Sequence, residues 1–172
     1  LYYDAKTRQV SALNASGRAP GALTLERLQR EGLGGGLPPH HPYTITVPGA
    51  AAGWCDLSAR FGRLPLSQTL APVIRLAEEG FPVAPITAYY WQRSAQGLLN
   101  KAVNGVELTL AGRGPQAGEI FRNPGLGRTL RALAEGGKTA YYQGTIAEAI
   151  VAVITEAGGC MALEDLAAHT ST

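Results

Sequence analysis

The segment "GTIAEAIVAVITEAGG", residues 144–159, constrains the fold more strongly than any other part of the sequence. Thr145 and Glu148 have the spacing of a capping box, and Gly158 with Gly159 is typical of a helix end. Apolar residues recur at helical spacing and form one face: Ile146, Ala149, Ile150, Val153, Ile154 and Ala157. We therefore predict an amphipathic helix that must bury this face against other elements.

Helical patterns dominate the rest of the chain after residue 48. Residues 50–62, 65–80, 85–99 and 123–137 each show helical spacing, and a last short helix is predicted from Leu163 to His169. The predicted buried positions are Trp54, Leu57 and Phe61 in the first stretch, Leu66, Leu70, Val73, Ile74 and Ala77 in the second, and Leu126, Leu130 and Leu133 in the fourth. Asn123 has the position of an N-cap. The pattern predicts a mainly helical protein.

The first 48 residues differ from the helical part. Residues 1–20 are expected to hold a short β-hairpin and one further strand. Residues 21–48 form a Gly/Pro-rich loop with one short helix, and residues 49–172 form the helical region. A hairpin alone is only marginally stable. Because the chain supplies no sheet for it and begins without Met, we expect a segment of a longer protein.

Composition excludes several classes of function. The chain has 172 residues and a net charge of +2 without a basic block, so we expect no nucleic-acid partner. No apolar run approaches the roughly 20 residues that a membrane span needs, and no signal peptide is recognisable. The sequence leaves the compartment open.

No metal or cofactor site is predicted. Cys55 and Cys160 are far apart and lack zinc-ligand spacing, so we read them as free thiols, with a single disulfide as the alternative. The adjacent His40 and His41 lie in a proline-rich loop, which favours a solvated pair over a metal site. The glycine run beside them lacks the residue order of a phosphate-binding loop.

Arg18 stands alone in a run of small residues, "VSALNASGRAPG". A guanidinium presents five donors in a rigid fork that fits a carboxylate, so the setting indicates an anion to be held. Three interpretations stay open. Arg18 holds a substrate carboxylate, or it clamps an internal carboxylate or backbone carbonyls, or it lies at the surface.

Several long strings resemble the large subunit of γ-glutamyltranspeptidases and related acylases. They are "LNASGRAP", "VPGAAAGWCDLSARFGRLPLSQTLAPVIRLAEEGFPV", "IFRNPGLGRTLRALAEGGKTAYYQGTIAEAIVAVITEAGG" and "LEDLAAH". The resemblance implies an N-terminal nucleophile hydrolase, made as a zymogen that cleaves itself and exposes a threonine at the start of a small subunit. It also implies that this chain is a fragment of a four-layer αββα sandwich.

The resemblance places the nucleophile outside this chain, so no catalytic residue is expected here. Thr170 and Thr172 follow "EDLAAH", which lies upstream of the family's cleavage point, and we do not expect either to be the nucleophile. The implied partners are the rest of the large subunit, the small subunit and a small acyl amide. Family members are often periplasmic or secreted, and a cytoplasmic location is also compatible.

The family's large subunit grips the α-carboxylate of the γ-glutamyl group with an arginine in an Arg-x-x-Ala-Pro arrangement. Here Ser16 occupies that place before Ala19-Pro20, and Arg18 stands two positions later. A two-residue shift in a strand keeps the same face and moves the side chain by about 7 Å. The resemblance therefore implies that the strand at the end of residues 1–20 faces the substrate, and it makes Arg18, Ser16 and Asn14 the candidate substrate-binding residues.

Three functions remain in view at this point. The leading expectation is a γ-glutamyltransferase-like enzyme of glutathione metabolism that passes the acyl group to water or an amino acid. If Ser16 and Asn14 replace the charged contact, the substrate would be a glutaryl or other dicarboxylic amide, as in an acylase. The alternative from another class is a non-enzymatic helical interaction module.

Overall fold

The computed structural model describes residues 1–172. Its strands are β1 (Tyr2–Asp4), β2 (Gln9–Ser11), β3 (Phe81–Pro82) and β4 (Ile120–Phe121). Its α-helices are α1 (Leu25–Arg30), α2 (Ala50–Phe61), α3 (Leu66–Glu79), α4 (Pro85–Gly97), α5 (Pro124–Tyr142), α6 (Thr145–Glu156) and α7 (Leu163–Ala167). Short 3₁₀ turns occupy Pro42–Thr44, Leu99–Lys101 and Gly105–Leu108. The expectation of a mainly helical chain with an N-terminal hairpin is confirmed.

The N-terminal hairpin is antiparallel, with Tyr3 opposite Val10. Its turn is closed by Asp4, whose carboxylate accepts the N–H of Lys6 at 2.8 Å and whose carbonyl accepts the N–H of Arg8 at 2.7 Å. The Tyr2 ring stacks on Phe61 at the end of α2, with ring centroids 4.1 Å apart. The hairpin is thus held by a helix of the same unit.

The chain forms two compact units, residues 1–66 with 132–172, and residues 67–131. The buried apolar residues of the first unit are Tyr43, Val47, Ala51, Ala52, Leu133, Tyr142, Ala147, Ile154, Met161 and Leu166. No helix in the structure combines the length and apolar character needed to cross a membrane.

The second unit contains a short strand pair. β3 and β4 are antiparallel, and Phe81 lies opposite Phe121. Val83, Ala88 and Phe121 form a small core against which Phe81, Trp91 and Leu110 pack. The indole N–H of Trp91 donates to the carbonyl of Leu108 at 2.8 Å, so this aromatic residue serves packing. Tyr89 and Tyr90, beside it, are mostly exposed.

The buried face of α2 is not the one that the apolar spacing predicts. Trp54 is 48% exposed and Leu57 is 38% exposed, whereas Ala51, Ala52 and Gly53 are buried. The reason is the close approach of an extended segment to the first turn of this helix, which leaves room only for very small side chains. The large apolar residues of α2 consequently point elsewhere.

The predicted capping box of α6 is also wrong. Thr145 is already the first helical residue, and Gly144 is the N-cap, with φ 76° and no side-chain cap bond. A hydroxyl inside the first turn cannot take the cap position. The buried residues of α6 are Ala147 and Ile154, so the predicted face is rotated, and Val153 is 43% exposed.

The start of α5 agrees with the prediction, and its end does not. The side-chain oxygen of Asn123 accepts the N–H of Leu126 at 2.9 Å, which confirms Asn123 as a cap. The helix does not end at the glycine pair, because residues 138–142 resume it after a break at Gly137, where φ is 59° and ψ is −150°. This extra turn carries Tyr142, a buried residue with a role in the site described next.

Candidate functional site

An extended segment, residues 12–18, follows β2 and carries the three predicted substrate-binding residues. Exposure alternates along it: Asn14, Ser16 and Arg18 are exposed, whereas Leu13, Ala15 and Gly17 are half-buried. Side chains two residues apart in an extended chain share a face. The structure therefore brings Asn14, Ser16 and Arg18 onto one open face.

The opposite face of this segment lies directly against other backbone. A Cβ on Gly17 would lie 1.6 Å from the carbonyl oxygen of Val47, and a Cβ on Gly49 would lie 1.7 Å from that of Ala15. Real Cβ atoms never come so close to another atom. Glycine is therefore required at positions 17 and 49 for these two stretches of backbone to be in contact. This contact fixes the distance between the segment and the start of α2.

Backbone hydrogen bonds hold the segment as well. Asn14 and Thr172 exchange a reciprocal pair, with N···O distances of 2.6 and 2.9 Å, as neighbouring strands do. The N–H of Val47 donates to the carbonyl of Arg18 at 3.0 Å. The side-chain oxygen of Asn14 accepts the N–H of Ser16 at 2.9 Å, so part of the Asn14 amide is already used to shape the segment.

The guanidinium of Arg18 makes no hydrogen bond, ion pair or ring contact within this chain. Its backbone carbonyl is the only group of the residue with a partner, and the side chain is exposed. An internal carboxylate clamp, one of the three interpretations of Arg18, is therefore not formed here. Both the substrate-binding and the surface interpretations agree with this geometry.

Tyr142 supports the backbone at the start of α2, a role that sequence reasoning missed. Its hydroxyl donates to the carbonyl of Pro48 at 2.6 Å and accepts the N–H of Ala52 at 3.0 Å, so it ties together the residues on either side of Gly49. Burial raises the pKa of Tyr142. His169 stacks on its ring with centroids 5.4 Å apart. Only the aromatic pair at the end of α5 could have indicated such a role.

Asp165 binds the chain at Gly21, three residues after the segment ends. One carboxylate oxygen accepts the N–H of Gly21 at 2.8 Å, and the second accepts the N–H of Ala162 at 2.9 Å. From sequence alone, Asp165 is an ordinary acidic residue in the first turn of a helix. The long-range partner, Gly21, was not predictable from local spacing.

The remaining candidates do not join this site. Cys55 and Cys160 are free thiols, and burial raises the pKa of Cys55. A cleft of about 440 Å³ is lined by residues of α2, the turn after it and α5, including Cys55 and Arg63 but none of Asn14, Ser16 and Arg18. His41 accepts the N–H of Tyr43 through Nδ1 at 3.2 Å, which makes it part of a local turn.

On α2, Asp56 accepts a hydrogen bond from Lys138. Burial would raise the pKa of Asp56, but the hydrogen bond from Lys138 and its positive charge oppose this effect, and the pKa is lowered on balance. The pair keeps one negative and one positive charge together, 2.6 Å apart.

Comparison with known proteins defines the class. The family model for γ-glutamyltranspeptidase matches residues 1–172. A glutathione hydrolase-like proenzyme of Bacillus subtilis is 29% identical over 98% of this chain and 32% of its own length. The structure of a cephalosporin acylase from Bacillus halodurans is 38% identical, with a TM-score of 0.85 over 93% of this chain and 31% of that one.

A γ-glutamyltranspeptidase from Helicobacter pylori has a TM-score of 0.82 at 25% identity, over 93% of this chain and 47% of that chain. The chain belongs to the γ-glutamyltranspeptidase family, and its fold is the corresponding part of these N-terminal nucleophile hydrolases. It spans between 20% and 32% of the length of the first curated relatives that it matches.

Proposed function

We propose that this chain is the part of a γ-glutamyl amide hydrolase or acyltransferase that holds the carboxylate of the acyl group, and that Arg18 makes this contact. The single observation that carries the proposal is the free guanidinium of Arg18 on the same open face as Ser16 and Asn14. A carboxylate accepts two parallel hydrogen bonds from such a fork. The Ser16 hydroxyl and the Asn14 amide group can add neutral donors beside it.

Preorganisation of the segment favours this role over that of an ordinary surface arginine. The backbone under Arg18 is fixed by Val47 and by the glycine contacts at Gly17 and Gly49. A ligand that binds the guanidinium therefore orders one side chain and no backbone, which keeps the entropic cost of binding low.

The proposed reaction uses groups outside this chain. A threonine hydroxyl of the small subunit attacks the γ-amide carbonyl carbon while the α-amine of that threonine accepts the hydroxyl proton. The C–N bond then breaks, the amine leaves with that proton, and the acyl-enzyme passes to water or to an amino acid. In this scheme the partners of the chain are the rest of the large subunit and the small subunit, and Arg18 orients the acyl group.

The second candidate is an acylase that acts on a glutaryl or other dicarboxylic amide. It is favoured by Ser16, which stands where the family's arginine is expected, and by the similarity to the Bacillus halodurans cephalosporin acylase. A glutaryl group keeps the carboxylate and lacks the α-amino group of γ-glutamyl. The two candidates therefore differ in whether the amino group matters, and both use a carboxylate.

Three anilide substrates test the proposal on the full-length protein that carries this chain: γ-glutamyl, glutaryl and 4-aminobutyryl anilide, the last of which lacks the carboxylate. Arg18→Gln should lower kcat/KM for the two carboxylate-bearing anilides by about 10- to 100-fold, the range for a hydrogen bond to a charged group. The 4-aminobutyryl anilide should be unaffected.

Arg75→Gln is the matched control, because Arg75 is an exposed arginine of α3 without an ion pair. If Arg18→Gln lowers kcat/KM equally for all three anilides, or lowers it for none, Arg18 does not bind the carboxylate of the substrate. A preference of the unaltered protein for glutaryl over γ-glutamyl anilide would select the acylase.

A further inference from the structure

We propose that Asp165 is a positioning residue for Arg18, acting through the backbone and never touching the substrate. This inference rests on the proposed function. Asp165 lies on α7, the third residue of a five-residue helix, and it is linked to the Arg18 segment by one long-range hydrogen bond. The inference assigns to that bond a role in substrate selection.

The carboxylate of Asp165 is fully engaged in two directions. Oδ1 accepts the N–H of Gly21, 144 positions away in sequence, and Oδ2 accepts the N–H of Ala162 just before α7. The helix itself is anchored by Leu166, whose side chain is completely buried. Asp165 thus attaches the chain at Gly21 to a fixed point in the core of the first unit.

A displacement at Gly21 is transmitted to Arg18 because the two residues between them are stiff. Pro20 is buried and has a restricted φ. Its carbonyl accepts the N–H of Leu23 at 2.9 Å, which closes a turn directly after it. The residue before a proline is itself restricted to extended conformations. Arg18 is therefore held between two hydrogen bonds, from Val47 on one side and through Gly21 to Asp165 on the other.

Only a carboxylate of this length makes both bonds. An asparagine at position 165 has a single acceptor oxygen, so one of the two backbone N–H groups would face an NH₂ group instead. A glutamate keeps the charge but adds a methylene, which moves the oxygens away from one or both donors. Both substitutions release Gly21 or strain it, and neither alters the chemistry of Arg18.

A purely structural role and a positioning role make different kinetic predictions. If Asp165 only stabilises α7, Asp165→Asn affects all substrates equally or lowers stability alone. If Asp165 positions Arg18, the loss falls on substrates that carry the carboxylate. Small misplacements of a positioned group cost up to about 100-fold in rate.

The test is a double-mutant cycle in the full-length protein with γ-glutamyl and 4-aminobutyryl anilides as substrates. Asp165→Asn should reduce the ratio of their kcat/KM values by about tenfold, whereas the neighbouring control Glu164→Gln should leave the ratio unchanged. In the Arg18→Gln background, Asp165→Asn should have no further effect on the ratio, because a residue that acts through Arg18 cannot act without it.

An unchanged ratio with Asp165→Asn, or a further reduction in the Arg18→Gln background, would overturn the positioning role. If Asp165→Asn does not accumulate, Asp165→Glu serves the same test with an expected reduction of about threefold, and an unchanged ratio is again contrary. Failure of the proposed function is distinguishable, since it shows in Arg18→Gln alone. An Arg18→Gln variant that keeps the ratio of the unaltered protein removes both proposals.

Discussion

Arg18 and Arg113 illustrate two opposite uses of arginine in one chain. Arg113 donates two hydrogen bonds of 2.7 Å to the two oxygens of Glu119, and it also reaches the carbonyl of Gly114 at 3.2 Å. Its side chain organises a loop in the second unit. Arg18 has no side-chain partner, and its position comes from its backbone alone.

The difference shows where each segment obtains its order. The loop of residues 109–119 has backbone hydrogen bonds of its own, among them the reciprocal pair between Leu110 and Arg113, and the Arg113 side chain adds its bonds to Glu119. The segment that carries Arg18 is held by glycine contacts and backbone bonds without any contribution from the Arg18 side chain, so this guanidinium is left for a ligand. When backbone contacts alone fix a segment, a charged side chain on it can be exposed in a fixed place. This is the property of a preorganised binding site.

The largest effect is expected from Gly49→Ala, which attacks the backbone support of the Arg18 segment. The new Cβ would lie 1.7 Å from the carbonyl oxygen of Ala15, so the strand and α2 must separate. We expect a loss of about 3 kcal/mol in the free energy of unfolding, at the upper end for overpacking. Denaturant unfolding measures it. Gly35→Ala is the control, since a Cβ there meets nothing within 4 Å.

Gly35→Ala should change stability by less than about 0.5 kcal/mol, as expected for a surface position. Equal stability of the two variants would contradict the tight contact between the segment and α2. The position of the Arg18 segment would then depend on its hydrogen bonds alone, as the loop around Arg113 depends on hydrogen bonds.

A smaller effect is expected from Tyr142→Phe. The change removes the hydroxyl that joins Pro48 and Ala52 and leaves their buried backbone groups without this partner. Loss of such a partner costs about 1 to 3 kcal/mol. Thermal unfolding of both tyrosine variants measures the effect. Tyr141→Phe is the matched control, because the neighbouring ring lies 4.9 Å away but its hydroxyl has no hydrogen-bond partner.

A stability loss of the same size in Tyr141→Phe and Tyr142→Phe would show that ring packing, and not the hydroxyl, supports the start of α2. A larger stability loss in Tyr142→Phe than in Tyr141→Phe would instead show that the Tyr142 hydroxyl supports the start of α2, against which the Arg18 segment packs.

Sequence reasoning found the helices and the family because both depend on local patterns. Asn123 as a cap and the hairpin at β1 and β2 follow from residues close together in the chain. The buried face of α2 and the start of α6 were wrong for different reasons. In α2, a contact with the distant residue Ala15 selects the small face, and in α6 Gly144 takes the cap that Thr145 seemed to offer.

The candidate site also has a part that local sequence patterns predict and a part that they do not. The period-2 arrangement of Asn14, Ser16 and Arg18 is a local property, and it was accessible from the sequence. The residues that support this segment act over long separations, since Tyr142 bonds Ala52 from 90 positions away and Asp165 bonds Gly21 from 144 positions away. No spacing rule connects such positions, so only the fold reveals them.

The smallest effect is expected at Glu119, the hydrogen-bond partner of Arg113. The hydrogen bonds from Arg113, and then the N–H of Gln116, lower the pKa of Glu119 to about 2. A lowered pKa in the folded state means that ionised Glu119 stabilises the fold above the ordinary pKa of about 4.3, and that this contribution disappears as the pH falls toward 2.

The difference in melting temperature between the unaltered protein and Glu119→Gln should therefore be largest above pH 5 and vanish near pH 2. Thermal unfolding at a series of pH values measures it. Glu107→Gln, at an exposed carboxylate without an ion pair, and Arg18→Gln should both give differences that do not follow this curve. A pH-independent difference for Glu119→Gln would mean that Arg113 does not organise its loop through charge. The positions of Arg113 and Arg18 would then both be fixed by the backbone. The two arginines would no longer differ in whether the side chain contributes to the structure.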